Sequence, residues 1–123
     1  MLSVEPVIVL ADDLIWSSRL AEAVKKAGIT PVSVRSAAEL TLALTESTEE
    51  TPVLIDLNGR AYDALALIEV AAEEGHPVVA VGQHEDIDLR KRALGAGAIR
   101  VFSYNKLFTD GPAIVTKLLE GEL

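Results

Sequence analysis

Short runs of aliphatic and β-branched residues recur along the chain, separated by longer stretches in which apolar residues repeat at helical spacing. The runs are VIVL at 7–10, VSV at 32–34, VLI at 53–55, VVAV at 78–81 and IRVF at 99–102. They show little alternation between apolar and polar positions, which is typical of strands covered by helices on both faces of a parallel sheet. The pattern predicts five strands that alternate with five helices, (βα)₅.

Local signals indicate where the helices begin and end. Gly28 is expected to follow the first helix, because glycine commonly lies just beyond the last helical turn. The segment SAAE at 36–39 has the spacing of a capping box and is expected to begin the second helix. We expect Leu94 to face the sheet from the fourth helix, and TDGP at 109–112 to begin the fifth.

Alternating strands and helices connect through right-handed crossovers and predict an open, doubly wound α/β sheet with strand order 2-1-3-4-5. The chain of 123 residues has too little material for two hydrophobic cores, so a single domain spanning 1–123 is expected. Ligands of such sheets bind at the carboxyl ends of the strands, near the point where the strand order reverses. Residues that bind a ligand or react are therefore expected at that edge.

Composition and charge narrow the classes of function. A formal net charge of -8 repels phosphate backbones and anionic membranes, so neither nucleic acid nor a membrane is expected as a partner. The absence of cysteine excludes disulfides, thiolate metal sites and cysteine nucleophiles, and it fits a reducing compartment such as the cytoplasm. The amino-terminal segment MLSVEPVIVLADD has no basic leader and predicts neither a signal peptide nor a membrane anchor.

Carboxylates follow two strands that are neighbours in the predicted sheet. Asp12 and Asp13 end the first strand and Asp56 ends the third, so the three side chains are expected to share the switch point. Clustered carboxylates either take up protons or recruit a hard divalent cation such as Mg²⁺. A simpler interpretation stays open, in which Asp56 is a turn residue that accepts backbone hydrogen bonds and the acidic pair caps the first helix.

Two segments carry a resemblance to a known family. VIVLADD stands where that family has a strand ending in an acidic pair, and VLIDLNGRAYDALALI matches its phosphoacceptor segment without a gap. On these segments the chain resembles the CheY-like receiver domains of bacterial response regulators, which have a flavodoxin-like fold. The resemblance implies that Asp56 accepts a phosphoryl group from a histidine kinase. It also implies a Mg²⁺ site formed by Asp12, Asp13, Asp56 and the backbone carbonyl of Asn58.

The chain departs from the family pattern in the metal site. Counting back from Gly28 aligns Ala11 and Asp12 with the acidic pair of the family, so one metal-binding acid is missing unless Asp13 substitutes for it. Mg²⁺ binding is therefore expected to be weak or absent.

Further departures fall on the positions that sense the phosphoryl group in the family. Gly82 replaces the switch hydroxyl after the fourth strand, and Tyr104 aligns with the lysine that ends the fifth strand. Lys106 lies nearby but off register. These substitutions indicate a degenerate receiver, or pseudo-receiver.

Three functions are compatible with these observations. The first is a non-enzymatic, stand-alone signalling module that binds a histidine kinase, an output protein in trans or a second copy, with phosphorylation at Asp56 weak, conditional or lost. Its partner face is expected on the fourth helix, fifth strand and fifth helix, around Tyr104, Leu107 and Phe108. The alternatives are a phosphorylatable receiver and a flavodoxin-like protein that binds a small molecule or nucleotide in the same crevice, although no glycine-rich loop is present.

Overall fold

The computed structural model describes residues 6–47 and 50–123, in which five strands alternate with five helices. The strands are β1 (Val7–Leu10), β2 (Pro31–Val34), β3 (Val53–Asp56), β4 (Val78–Gly82) and β5 (Arg100–Ser103). The helices are α1 (Leu14–Lys26), α2 (Ala37–Glu46), α3 (Ala64–Glu73), α4 (Ile87–Ala96) and α5 (Tyr104–Glu120). The predicted (βα)₅ alternation is confirmed. None of the helices in these ranges is long and apolar enough to cross a membrane.

All five strands pair in parallel in the order β2-β1-β3-β4-β5, which confirms the predicted sheet. In the register of the central strands, Leu10 lies opposite Ile55, and Asp56 lies opposite Val81. The chain leaves β1 toward β2 on one side, whereas β3 continues the sheet on the other. The resulting crevice lies between the carboxyl ends of β1 and β3.

Hydrophobic side chains fill two layers, one on each face of the sheet. Ile8 and Leu10 point into the layer covered by α2, α3 and α4, while Val7 and Val9 point into the layer covered by α1 and α5. All four side chains are fully buried. Because both faces are covered, every position of the strand is apolar, although successive side chains point in opposite directions.

The ends of the first two helices follow the predicted signals. Gly28 lies just beyond α1 with φ at 83°, a left-handed conformation that glycine adopts without a steric penalty. Ser36 caps α2, and its hydroxyl accepts a hydrogen bond from the N–H of Glu39 at 3.2 Å. The Glu39 carboxylate reaches back to the N–H of Arg35 at 3.0 Å, one residue earlier than in a standard capping box.

The prediction for the start of α5 is wrong. The helix begins at Tyr104, because Ser103 acts as its N-cap and accepts a hydrogen bond from the N–H of Lys106 at 3.1 Å. The segment TDGP lies inside the helix, where Asp110 has non-helical φ and ψ of -119° and 18°. Pro112 follows, and a proline inside a helix removes a backbone donor and kinks it. The residues that signalled a start therefore mark a kink.

The prediction that Leu94 faces the sheet is also wrong, since its exposed fraction is 45%. Ala93 is the residue of α4 that is fully buried, and Leu89 and Ala96 pack beside it against the core. These three positions follow the i, i+4, i+7 spacing of one helix face, which turns Leu94 away from the sheet.

Helices α1 and α5 approach each other closely at one glycine. A Cβ atom added to Gly111 of α5 would lie 2.8 Å from the Cβ of Ala23 on α1, which is shorter than an ordinary van der Waals contact. Gly95 of α4 offers a contrast, because no atom lies within 4 Å of a Cβ added there.

We predict opposite effects of the same substitution at these two glycines. Gly111→Ala should lower the free energy of unfolding by about 1–3 kcal/mol, because it overpacks the α1–α5 interface. Gly95→Ala should raise the free energy of unfolding by up to about 1 kcal/mol, because alanine is the better helix former and its Cβ would not clash with any atom. Urea denaturation of both variants measures the difference. Equal effects would show that the α1–α5 contact is not close enough to matter.

Candidate functional site

Asp56 ends β3 as a buried carboxylate, with an exposed fraction of 2%. Its Oδ1 atom accepts a hydrogen bond from the backbone N–H of Asn58 at 3.1 Å and a second from the hydroxyl of Tyr104. A buried carboxylate without donors would be strongly destabilising. The two hydrogen bonds explain how this one is tolerated at the end of an apolar strand.

Tyr104 and Asn58 also contact each other. The side-chain amide of Asn58 donates a hydrogen bond from Nδ2 to the Tyr104 hydroxyl at 2.8 Å, and that hydroxyl in turn donates to Asp56. Donors in such a sequence polarise and strengthen one another. Since Tyr104 is the first residue of α5 and Asn58 lies just after β3, the network joins two elements at the carboxyl edge of the sheet.

Asp12 holds the loop that follows β3. Its Oδ2 atom accepts hydrogen bonds from the backbone N–H groups of Arg60 at 2.8 Å and Ala61 at 2.6 Å. The backbone carbonyl of Asp12 accepts a further bond from the Arg35 guanidinium at 2.9 Å. The residue aligned with a metal ligand thus connects the end of β1 to two other segments through hydrogen bonds.

Asp13 is the N-cap of α1. Its Oδ1 atom accepts a hydrogen bond from the N–H of Trp16 at 3.0 Å, and the side chain is exposed. This is the role that the simpler interpretation gave it, and the position at the positive end of the helix dipole favours a carboxylate.

The environment raises the pKa of the Asp56 carboxyl above its ordinary value. Burial is the largest cause, and the negative charges of Asp12 and Asp13 add to it, while the hydrogen bonds from Tyr104 and Asn58 act in the opposite direction. Burial and the hydrogen bond to Asp56 likewise raise the pKa of the Tyr104 phenol. Tyr104 therefore remains a protonated donor to the carboxylate.

Tyr62 is a site residue that the sequence did not reveal. Its buried hydroxyl donates to the backbone carbonyl of Asp56 at 2.7 Å and lies 3.4 Å from the carbonyl of Leu10, so it spans the ends of β3 and β1. A side chain at Gly59 would overlap the Tyr62 ring. The one signal in the sequence is a glycine three residues before a tyrosine, where the loop must pass close to the ring.

The basic residues near the edge do not neutralise the acids. Lys106 is exposed and forms an ion pair with Asp110 at 2.6 Å. Within residues 6–47 and 50–123, no ion pair joins Lys106 or Arg60 to the acids at the ends of β1 and β3. Arg60 contributes its backbone N–H to Asp12. Hydrogen-bond donors, not cationic side chains, compensate these carboxylates.

Gly82 ends β4 beside Leu57. A Cβ atom added to Gly82 would lie 3.1 Å from Cδ1 of Leu57, which is itself buried. The end of β4 thus has neither a side-chain polar group nor open space at this position.

The donor set does not fit a resident Mg²⁺ ion. A cavity of about 420 Å³ lies at this edge, lined by Asp12, Asp13, Asn58 and Arg60. In the described part of the chain, no three acidic or histidine side chains are grouped as metal ligands. Asp12 uses Oδ2 for two backbone donors and Asp13 uses Oδ1 to cap α1, so those oxygens are already hydrogen-bonded.

The residues of the expected partner face differ in exposure. Leu107 is 2% exposed and packs between α5 and the sheet, whereas Phe108 is 65% exposed. Tyr104 is half-buried, and its ring stacks on Trp16 of α1 with centroids 4.1 Å apart. The pairing with Trp16 was not predicted, because nothing in the local sequence relates α1 to the start of α5.

This fold is that of response-regulator receiver domains. A response regulator from Thermotoga maritima is similar over 96% of this chain and 99% of its own, with a TM-score of 0.77 and 20% identity. The receiver domain of NtrX from Brucella abortus is similar over 93% of this chain and 98% of its own, with a TM-score of 0.82 and 19% identity.

A third solved structure of the same class is a response regulator protein from Burkholderia pseudomallei with a phosphorylated aspartic acid, calcium ion and citrate. The similarity covers 96% of this chain and 71% of that one, with a TM-score of 0.76 and 16% identity. At such identities the likeness shows a shared fold. No protein-family model and no curated protein matches the sequence.

We predict that Asp56→Asn stabilises the protein at neutral pH. A folded-state pKa above the unfolded value means that the native state binds the proton more tightly, so wild-type stability falls as pH rises through the folded pKa. Asparagine keeps an acceptor oxygen and does not ionise. The melting temperature of the variant should exceed that of wild type by a few degrees at neutral pH, and the difference should shrink as the pH falls.

Asp63→Asn is the matched control for this prediction. Asp63 is the exposed N-cap of α3, and asparagine caps a helix about as well as aspartate. Its effect should stay within about 0.5 kcal/mol across the pH series, as for other surface substitutions. A loss of stability in Asp56→Asn at neutral pH would mean that the ionised carboxylate is favourable where it lies.

Proposed function

We propose that this protein is a receiver-like signalling domain that acts by binding a protein partner, with phosphorylation of Asp56 weak, conditional or lost. The observation that carries the proposal is the contact between the Tyr104 hydroxyl and Oδ1 of Asp56. The receiver fold supports the signalling class, and the contact supports the degenerate state. No catalytic role is assigned to the domain.

The surroundings of Asp56 oppose its phosphorylation for two reasons. A carboxylate attacks phosphorus through an oxygen with a free lone pair, but Oδ1 of Asp56 already accepts two hydrogen bonds. A phosphoryl group would also add negative charge beside Asp12 and Asp13. Lys106 pairs with Asp110 and would have to leave it to compensate that charge.

The same contact opposes switching. A ligand shifts a conformational equilibrium only by its difference in affinity for the two states. Gly82 has no side chain that could contact a phosphoryl group, and Tyr104 already contacts Asp56 in the unmodified protein. Partner binding is therefore proposed to be constitutive, that is, to take place in the unmodified protein, in which Tyr104 contacts Asp56.

The proposed partner face surrounds Tyr104 and Phe108, and Phe108 is its exposed apolar member. Leu107, which was expected on this face, is buried in the core beneath it. The partner is a histidine kinase, an output protein or a second copy of this chain. A net charge of -8 argues against nucleic acid or an anionic membrane in that role. The cytoplasm is the proposed compartment, and any binding of Mg²⁺ is proposed to be weak.

A second candidate function is a phosphorylatable receiver. The observation that favours it is the position of Asp56 at the end of β3, beside the acids that end β1. The related Burkholderia protein contains a phosphorylated aspartic acid together with a calcium ion. One chemical experiment distinguishes the two candidates.

We predict that acetyl phosphate with Mg²⁺ modifies only a small minority of the wild-type molecules, as measured by intact mass. Beryllofluoride with Mg²⁺, which resembles a phosphoryl group, should leave the melting temperature close to that of the untreated protein. Asp56→Asn is the control for reaction at other residues. Stoichiometric modification that is absent in Asp56→Asn would establish the phosphorylatable receiver instead.

We predict that partner binding depends on Phe108 and not on the charge of Asp56. Phe108→Ala, and likewise Tyr104→Ala, should weaken binding of a captured partner or self-association by about tenfold or more, as for an aromatic residue at the centre of an interface. Asp56→Asn should leave the affinity unchanged, because asparagine keeps an acceptor oxygen for the Tyr104 hydroxyl. Leu42→Ala is the control, since Leu42 is 59% exposed on α2, away from this face. Loss of binding in Asp56→Asn alone would contradict constitutive binding.

A further inference from the structure

Tyr104 lies between the buried carboxylate and the outer surface of α1 and α5. Its hydroxyl donates to Asp56, and its ring stacks on Trp16 with centroids 4.1 Å apart and planes inclined by 29°. One rigid side chain therefore makes a polar contact with β3 at one end and an aromatic contact with α1 along its face. A change in either contact changes the other.

Further contacts connect Trp16 to side chains at the molecular surface. The guanidinium carbon of Arg19 lies 5.1 Å from the centroid of the Trp16 ring and 4.8 Å from that of Phe108. Both distances fall within the range of cation–π attraction. Arg19 is exposed, and Phe108 is 65% exposed, so the series ends on the molecular surface.

We propose that these five residues form a relay that couples the state of Asp56 to the α1–α5 surface at Arg19 and Phe108. The relay is defined as Asp56, Tyr104, Trp16, Arg19 and Phe108. It rests on the proposed function in one respect, since it specifies how the Asp56 site would be regulated. Its geometry stands independently of any partner or phosphoryl group.

The route out of the site is set by which groups touch the carboxylate. In the described ranges, the side-chain hydrogen bonds of Asp56 go to Asn58 and Tyr104. On the other side, Gly82 of β4 has no side chain that could transmit a change. Of the two donors, Tyr104 is the one with a ring that extends to another helix.

A change in the relay would require Tyr104 to move to another staggered rotamer, because a phenol ring does not bend. A larger group on Asp56 would displace the hydroxyl, and the ring would then leave Trp16. Helices α1 and α5 have little room to move closer together, since even a Cβ atom added to Gly111 would lie 2.8 Å from the Cβ of Ala23. The change passes to the side chains of Arg19 and Phe108.

Coupling between two sites is reciprocal. An occupant that covers Arg19 and Phe108 would hold Tyr104 on the carboxylate, and so would protect Asp56 from chemical modification. Loss of the Tyr104 contact would conversely loosen the surface end of the relay.

Trp16 is the one tryptophan of the chain, so its fluorescence reports directly on the middle of the relay. We compare wild type with Asp56→Ala, which removes the acceptor, and with Tyr104→Phe, which keeps the ring and removes the donor. Both variants should change the intensity and wavelength of Trp16 emission in the same direction. Asp86→Asn, at the exposed N-cap of α4 outside the relay, should leave the emission unchanged.

A double-mutant cycle tests whether the two ends are coupled. Asp56→Ala and Phe108→Ala are combined, and unfolding equilibrium constants are measured in urea. If the two sites are independent, the effects of the single substitutions on the unfolding equilibrium constant multiply to give that of the double variant within roughly twofold. If the relay exists, the equilibrium constant of the double variant should differ from this product by more than about threefold. This difference should disappear when the cycle is repeated in a Tyr104→Phe background.

Two results would overturn the relay. The first is Trp16 emission in Asp56→Ala and Tyr104→Phe that is the same as in wild type. The second is a cycle in which the effects of Asp56→Ala and Phe108→Ala on the unfolding equilibrium constant multiply within roughly twofold. Neither measurement needs a partner or a phosphoryl group. Efficient phosphorylation would therefore refute the proposed function while leaving a positive result for the relay in place.

Discussion

The buried carboxylate of Asp56 is the constraint to which the carboxyl edge of the sheet is fitted. Removing a charge from water is costly unless donors replace the lost hydration. Asn58 supplies a backbone N–H, Tyr104 supplies a hydroxyl, and Tyr62 bonds the carbonyl of the same residue. Two of these donors lie in the β3–α3 loop and the third is the first residue of α5, so the hydrogen bonds of Asp56 join the loop to α5.

The three acids at this edge are stabilised by different donors. Asp12 accepts from two backbone amides of the loop after β3, and Asp13 accepts from the first turn of α1. In a metal site, one cation would share these oxygens and hold them together. Here each carboxylate accepts from its own set of donors, and those of Asp56 are the backbone N–H of Asn58 and the hydroxyl of Tyr104. The edge is consequently well organised without an ion, and it has fewer free ligands with which to respond to one.

The sequence predicted the sheet well because both of its faces are buried. Continuous apolar runs such as 7–10 and 53–55 predict buried strands in a chain with helical spacing between them. Local signals were less reliable where two competed. Ser103 caps α5 six residues before the TDGP segment that was expected to do so, and the segment became a kink.

The site was only partly predictable. The resemblance brought Asp56, Asp12 and Tyr104 to one edge, and the structure places all three there. It could not show what replaces the contacts that the family would make at Gly82 and at the metal. Those replacements depend on residues distant in sequence, such as Trp16 against Tyr104, and spacing along a helix or strand carries no information about such pairs.

The kink in α5 separates the turn that contacts Asp56 from the turn that packs against α1. The first turns must place the Tyr104 hydroxyl on Asp56, while the later turns must bring Gly111 against Ala23. Asp110 leaves helical geometry between these two contacts, and its carboxylate pairs with Lys106 one turn earlier. Because the backbone adjusts at this residue, the position of Tyr104 is set by the carboxylate, and the packing of the remaining helix is set by α1.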